Sequence, residues 1–460
     1  MNVPIRLAGA AGIGAALLAL GACGSDDSSP SRGQLLSGPV QTAAVSTAQI
    51  DAAATAAGTA ALAGPAACGV SVQKIEYQTV GGAGEGTNAT AALMIPTGAS
   101  AACAGPRPIV LYAHGTSFDR KKNMSAVTTD GEAGLAMAFF AAQGFIVVAP
   151  NYAGYDASTL PYHPYLNAEA QANDMVDALR AAKGTLPSLG AAASSRLFIT
   201  GYSQGGHVAM ATHRAIEQSY QSEFTVTASG PMSGPYALAK MTQAIFAGTQ
   251  NIGAALFTPM VNDSYQRSYG NIYSAPSDVY QAPFDTIAPG LLPNVDPATA
   301  VSRMPAGADG SYRTLFDAGN GQPFLIKTSF RTQASDPNSN YFRAIQRNDL
   351  LNWQPRGAMA LCYGAQDPTV FGFNSTDAQT YFAGRGVTVA RYDLEDAATL
   401  PAAAAPVKTG FDGLKAQISA QAGGGTAGAG AVIAQYHGTI VPPFCTALIR
   451  SFFAAASAAP

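Results

Sequence analysis

The sequence predicts an α/β fold, with a mainly parallel central sheet interrupted by one large inserted cap. Three observations carry this. Short continuous apolar runs such as "PIVLYAHG", "FIVVAPN" and "RLFITGY" read as strands buried on both faces. Helical patterns alternate with them through short connections, as in successive βαβ units. From about Ala237 to Gln354 the alternation stops, and it resumes at "GAMALCYG", so the middle block is an insertion between strands of one sheet. The chain has 460 residues, 48% hydrophobic and 12% charged, enough for one large domain with a weakly charged surface. Its net charge of −3 leaves no electrostatic footprint for nucleic acid, and no nucleic-acid partner is expected.

The elements follow in order. "MNVPIR" carries one Arg and leads into "LAGAAGIGAALLALGAC", which is too short and Gly-rich for a comfortable membrane span and fits a secretion signal over residues 1–22. It closes on Leu20-Gly21-Ala22-Cys23, which resembles the bacterial lipobox. That resemblance implies lipidation of Cys23 and a cell-envelope location, with Gly24 after the Cys leaning towards the outer membrane. Ordinary cleavage near Ala22, giving a secreted chain, is the alternative. A membrane is expected as partner only through this anchor. Residues 23–65 read as a flexible linker with one helix around Thr47–Ala61, and the folded domain is expected over 66–460.

"QKIEYQTV" alternates as a half-buried strand, "GGAGEG" is a turn, and "TAALMIP" returns as the second strand of a hairpin. Then come the strand "PIVLYAHG", a helix near Glu132–Gln143, the strand "FIVVAPN" and an amphipathic helix ending on Gly184. The strand "RLFITGY", the helix "QGGHVAMATHRAIEQS" and the strand "FTVTASGP" complete the first half. Beyond the cap, expected over about 237–354, come the strand "GAMALCYG", a helix near Thr376–Ala383, the strand "VTVARYDL" and a final helix, "FCTALIRSFFAAA". "AQISAQAGGGTAGAGA" reads as a mobile loop.

Apart from Cys23 there are four cysteines, an even number that in an exported chain suggests two disulfides. Three pairings are possible. Cys68–Cys103 with Cys362–Cys445 is expected, because each pair then flanks one contiguous block of fold. There is no CxxC or Cys/His cluster, so neither a metal site nor a cofactor is expected.

The chemistry concentrates at Gly201-Tyr202-Ser203-Gln204-Gly205, a G-x-S-x-G motif. In a chain with 49 Gly the motif alone is weak. Its context is specific: a buried strand runs into it and a helix runs out, the setting of a nucleophile elbow. Small residues two positions either side of Ser203 let the turn close, and Gly206 adds room for helix packing. A Ser hydroxyl needs a base to take its proton. Of the five His, His114 and His163 precede Ser203. His207 and His213 lie on the helix leaving the elbow and point away. His437, in "AQYHGTIVPPF" before the last helix, remains as the base. Asp367, in "ALCYGAQDPTV" after the first strand beyond the cap, is the expected acid, with Asp377 and Asp393 as rivals. Oxyanion donors are expected from the backbone N–H groups of Gln204 and Thr116, the latter beside His114-Gly115.

Together "YAHGT", "VVAPNYAGYD", "ITGYSQGGH", "GAQDPTV" and "YHGT" resemble the α/β-hydrolase superfamily, and are most similar to the secretory lipase family typified by fungal lipase A. The resemblance spans roughly Val70 to the C-terminus. It implies an α/β-hydrolase fold with a cap or lid and carboxylic ester hydrolysis by a Ser-Asp-His triad through an acyl-enzyme. The expected substrate is a small-molecule, lipid or polyester ester. "GAALFTPMV" and "PGLLPNV" read first as core of the cap, with an acyl channel as the alternative. A peptidase or amidase on the same scaffold, or a non-catalytic envelope binding protein, are the competing readings.

Overall fold

The computed structural model describes residues 31–305 and 312–458. The expected signal, the lipobox and Cys23 lie outside the described residues. Among the described residues nine strands form one sheet in the order β1-β2-β3-β5-β4-β6-β7-β8-β9. They are β1 Leu35–Val45, β2 Gly69–Val80, β3 Gly86–Thr97, β4 Arg107–Ala113, β5 Ile146–Pro150, β6 Ala193–Tyr202, β7 Ala228–Met232, β8 Ala358–Tyr363 and β9 Ala390–Asp393. Strands β5, β4, β6, β7, β8 and β9 run parallel. The first three form an antiparallel flank that joins through β3 and β5.

The apolar runs are explained by the two covered faces. Along a strand, successive side chains point to opposite faces. Val110 and Tyr112 of β4, Val147 of β5 and Phe198 of β6 therefore share a core with Phe139, Ile449 and Phe453. Their neighbours Ile109, Leu111, Ile146, Val148 and Ile199 share the opposite core with Met175, Leu179 and Val208. The first layer is built from helices Gly131–Phe139 and Val441–Ala458, the second from Ala168–Thr185 and Gln204–Ser219. Between β7 and β8 the inserted cap contributes helices Leu238–Ala247, Ala254–Tyr269 and Asn340–Arg347, among shorter ones. It has a core of its own that includes Phe246, Tyr265, Phe330 and Tyr341.

Two expectations need correction. Residues 32–65 are not a flexible linker: they supply β1, the helix Thr47–Ala56 and a short turn of helix at Ala60–Ala63. The segment shows no amphipathic alternation because β1 is mostly exposed and lies on the sheet edge. It is held by its ladder to β2 and by the Arg32 guanidinium, 2.9 Å from the buried Asp177 carboxylate. The expected mobile loop over "AQISAQAGGGTAGAGA" is likewise two helices, Ala405–Gln421 and Gly425–Gln435. Alanine, the strongest helix former, outweighs the scattered glycines, and the break is confined to Ala422–Gly424. Both disulfides form as expected, Cys68–Cys103 and Cys362–Cys445, which is the chemistry of an exported chain.

Candidate active site

Strand β6 ends at Tyr202, and the next helix begins at Gln204, leaving Ser203 alone on the turn with φ 59° and ψ −120°. A non-glycine residue there is strained by about 1–3 kcal/mol and persists only where its surroundings enforce it. The enforcement is visible. The Ser203 N–H donates to the Met232 carbonyl at the end of β7, 2.9 Å away. The flanking glycines have no room for a side chain: a Cβ on Gly201 would lie 2.3 Å, and one on Gly205 2.0 Å, from the Ala113 carbonyl oxygen.

Three distant side chains meet here. The Ser203 hydroxyl donates to His437 Nε2 at 2.7 Å, and His437 Nδ1 lies 2.6 Å from Asp367 Oδ2. A carboxylate at Nδ1 fixes the proton on that nitrogen and leaves Nε2 as an acceptor. The Asp367 side chain is fully buried, and its second oxygen accepts the N–H groups of Thr369 and Val370 at 2.9 and 3.0 Å. Asp367 thus stands on the loop after β8. The rivals are engaged elsewhere. Asp377 is inside the helix Phe373–Ala383 and pairs with Lys240 at the surface. Asp393 closes the end of β9 by accepting the N–H groups of Ala365 and Glu395. His437 does not occupy a loop: it sits on a π-helical turn, Tyr436–Ile440, between two helices.

The other imidazoles have structural partners. His114 stacks on Tyr152 with ring centroids 4.1 Å apart, and its Nδ1 lies 2.6 Å from the Gly115 carbonyl. His207 bonds the Asn348 carbonyl, and His213 bridges Ser229 and Glu217. His163 is the exception that bears on the site: its Nε2 lies 2.7 Å from Gln204 Nε2, and its Nδ1 2.9 Å from the Ala153 carbonyl. Burial pushes His163 down to about 3, so the neutral ring donates from Nδ1 and accepts from the Gln204 amide.

The two expected oxyanion donors are both in this region. Gln204 is the first residue of its helix, where an N–H has no intrahelical partner. Thr116 does not itself line the cleft. Its hydroxyl bonds the Tyr165 hydroxyl at 2.9 Å, and Tyr165 lines the cleft with Ser203 and Gln204. The loop bearing Thr116 is braced by Glu132, which accepts the Gly115 N–H at 2.8 Å and pairs with Lys122. Glu132 acts on this site without a sequence signal that marks it, since it reaches the Gly115 N–H only through the fold.

The cleft runs from Ser203 under the cap. Leu238, Met241, Phe246, Phe257, Val261 and Val370 give it an apolar wall, with Asn251, Thr242 and Thr258 as polar points. Of the two expected segments, "GAALFTPMV" contributes Ala254, Phe257, Thr258 and Val261 to this wall, whereas Leu291 and Leu292 of "PGLLPNV" are cap core. Among the described residues no group of three or more His, Cys, Asp or Glu side chains is arranged to hold a metal ion. Chemically, a hydroxyl aligned on an imidazole, itself oriented by a buried carboxylate, can attack a carbonyl and pass its proton to a leaving group.

Fold and site together define an α/β-hydrolase of the serine-hydrolase class. The prolyl oligopeptidase family matches residues 133–229, which run from the helix before β5 to β7. Comparison with curated proteins finds no match. Among solved structures, a ligand-bound form of the rice cell wall degrading esterase LipA from Xanthomonas oryzae is 31% identical, with a TM-score of 0.71; the match covers 82% of this chain and 95% of LipA. Candida antarctica lipase A in its closed state is 13% identical, with a TM-score of 0.53, over 79% of this chain and 77% of that one, a likeness of fold. The chain belongs to the lipase/esterase-like α/β-hydrolases.

Proposed function

We propose that this protein hydrolyses carboxylic esters through an acyl-enzyme formed on Ser203. Ser203 attacks the ester carbonyl while His437 takes its proton, and Asp367 stabilises the imidazolium. The Gln204 N–H holds the oxyanion, and the loop bearing Thr116, which meets the cleft through Tyr165, supplies the second donor. His437 then protonates the leaving alkoxide, and water releases the acid. The observation that carries this reading is the bonded chain from Asp367 through His437 to Ser203 at the mouth of an apolar cleft. The apolar wall suits the acyl part of a small-molecule, lipid or polyester ester. An N-terminal lipid on Cys23, and with it an outer-membrane location, is part of the proposal.

The test is fluorophosphonate labelling together with p-nitrophenyl ester turnover. Wild type is expected to be labelled at Ser203, and Ser203→Ala to lose both label and turnover by several orders of magnitude while staying folded. Retention of most esterase activity by Ser203→Ala would refute the assignment. The match to the prolyl oligopeptidase family gives a peptidase reading its one support. Parallel assays on p-nitroanilides separate the two: faster cleavage of anilides than of the matched esters favours the peptidase.

A further inference from the structure

Pro442 and Pro443 stand five and six residues after His437. A proline has no N–H, and its ring collides with the carbonyl four residues back, so an α-helix does not run through two of them unchanged. The chain widens instead into the π-helical turn Tyr436–Ile440, in which the Val441 N–H reaches past His437 to the Tyr436 carbonyl. The His437 carbonyl thereby loses both helical donors. Val441, at α spacing, bonds Tyr436, and Pro442, at π spacing, has no hydrogen to give. Its partner comes from the sheet: the Tyr202 hydroxyl donates to it at 2.7 Å.

Tyr202 is the residue immediately before Ser203. Its backbone is laddered to Met232 of β7, so its ring leaves from a rigid strand end. Its hydroxyl also lies 3.4 Å from His437 Nδ1, and the two rings stand 5.1 Å apart. Burial, with the Asp367 carboxylate nearby, holds the phenol well above its ordinary value, so it stays a donor.

We infer that Tyr202 is a positioning residue whose hydroxyl clasps the carbonyl of His437, tying the base to the strand that presents the nucleophile. The inference rests on the reading of Ser203 and His437 as nucleophile and base. Without the clasp the widened turn is free to shift, and a shift of about 1 Å at a reacting group costs on the order of 100-fold in rate.

Tyr202→Phe keeps the ring and removes only the hydroxyl. On the full chain, kcat for p-nitrophenyl esters is expected to fall about 10- to 100-fold, with KM and the thermal midpoint little changed. The rate of fluorophosphonate labelling falls by the same factor. Adding Pro442→Ala returns an N–H within reach of the His437 carbonyl, and the double variant is expected to recover part of the lost kcat. The clasp is overturned by a Tyr202→Phe enzyme with wild-type kcat and labelling rate, by a loss that appears in KM rather than kcat, or by a double variant no faster than the single one. An unlabelled wild type overturns the hydrolase reading and this inference together. A labelled wild type with an equally fast Tyr202→Phe overturns this inference alone.

Discussion

Asp367 divides its two oxygens between backbone and base, and that division predicts what an amide would do there. In Asp367→Asn the amide oxygen is expected to keep the Thr369 and Val370 N–H groups, which leaves the NH2 facing His437 Nδ1. The imidazole must then carry its proton on Nε2, against the Ser203 hydroxyl it should deprotonate. kcat is expected to drop about 10,000-fold, the effect seen when an amide in place of the triad carboxylate forces the wrong tautomer, with an unchanged circular dichroism spectrum. Asp393→Asn makes the opposite pattern the expected one. It weakens the loop after β9, lowering the thermal midpoint while kcat per folded molecule stays near wild type. A large kcat loss in Asp393→Asn with none in Asp367→Asn would transfer the acid role. Asp367 follows one strand beyond the cap and Asp393 ends the next, and their hydrogen bonds tell them apart.

The elbow is a junction of three strands, and its tolerance is set by backbone rather than side chains. Gly205→Ala would drive a methyl into the Ala113 carbonyl, part of a buried strand that has no freedom to yield. The expected cost is about 1–3 kcal/mol or more, read as a lower urea midpoint, together with loss of turnover as β4 and the loop after it are displaced. A second constraint is covalent. Cys362 on β8 and Cys445 on the last helix close a loop 83 residues apart, which spans the segments bearing Asp367 and His437. The double variant Cys362→Ala/Cys445→Ala is expected to lose roughly 4 kcal/mol on the chain-entropy account, and wild type in strong reductant should move towards it. An unchanged urea midpoint in the double variant would remove the bond from the list of stabilising features.

Buried imidazoles make the protein as a body sensitive to acid. Burial pushes His114 and His163 down to about 3 and His207 to about 4, whereas unfolded histidines titrate near 6.5. With folded values lowered, their contribution is present above about pH 6.5 and is lost as pH falls from there towards the folded values. Asp174 opposes them. Burial raises it to about 7, so its contribution is present below its unfolded value near 3.8 and is lost as pH rises towards 7. Three groups against one give a net loss on acidification from these four. The urea midpoint is therefore expected to be lower at pH 5 than at pH 7, and a flat profile between them would contradict it.

Strand–helix alternation, motif spacing and cysteine parity were readable from the residues, because each is a local or one-dimensional regularity: apolar runs mark doubly covered strands, and the order Ser203, Asp367, His437 follows chain order in this fold. The edge strand β1 and the helix Gly425–Gln435 are not readable, since mostly exposed side chains carry no periodic signal and their structure comes from pairing and propensity. The Tyr202–His437 clasp, the Glu132 brace and the wall of the cleft belong to the tertiary structure alone. Each joins groups far apart along the chain, and a hydrogen bond between such groups exists only once the sheet, its covering helices and the cap have brought them within about 3 Å of one another.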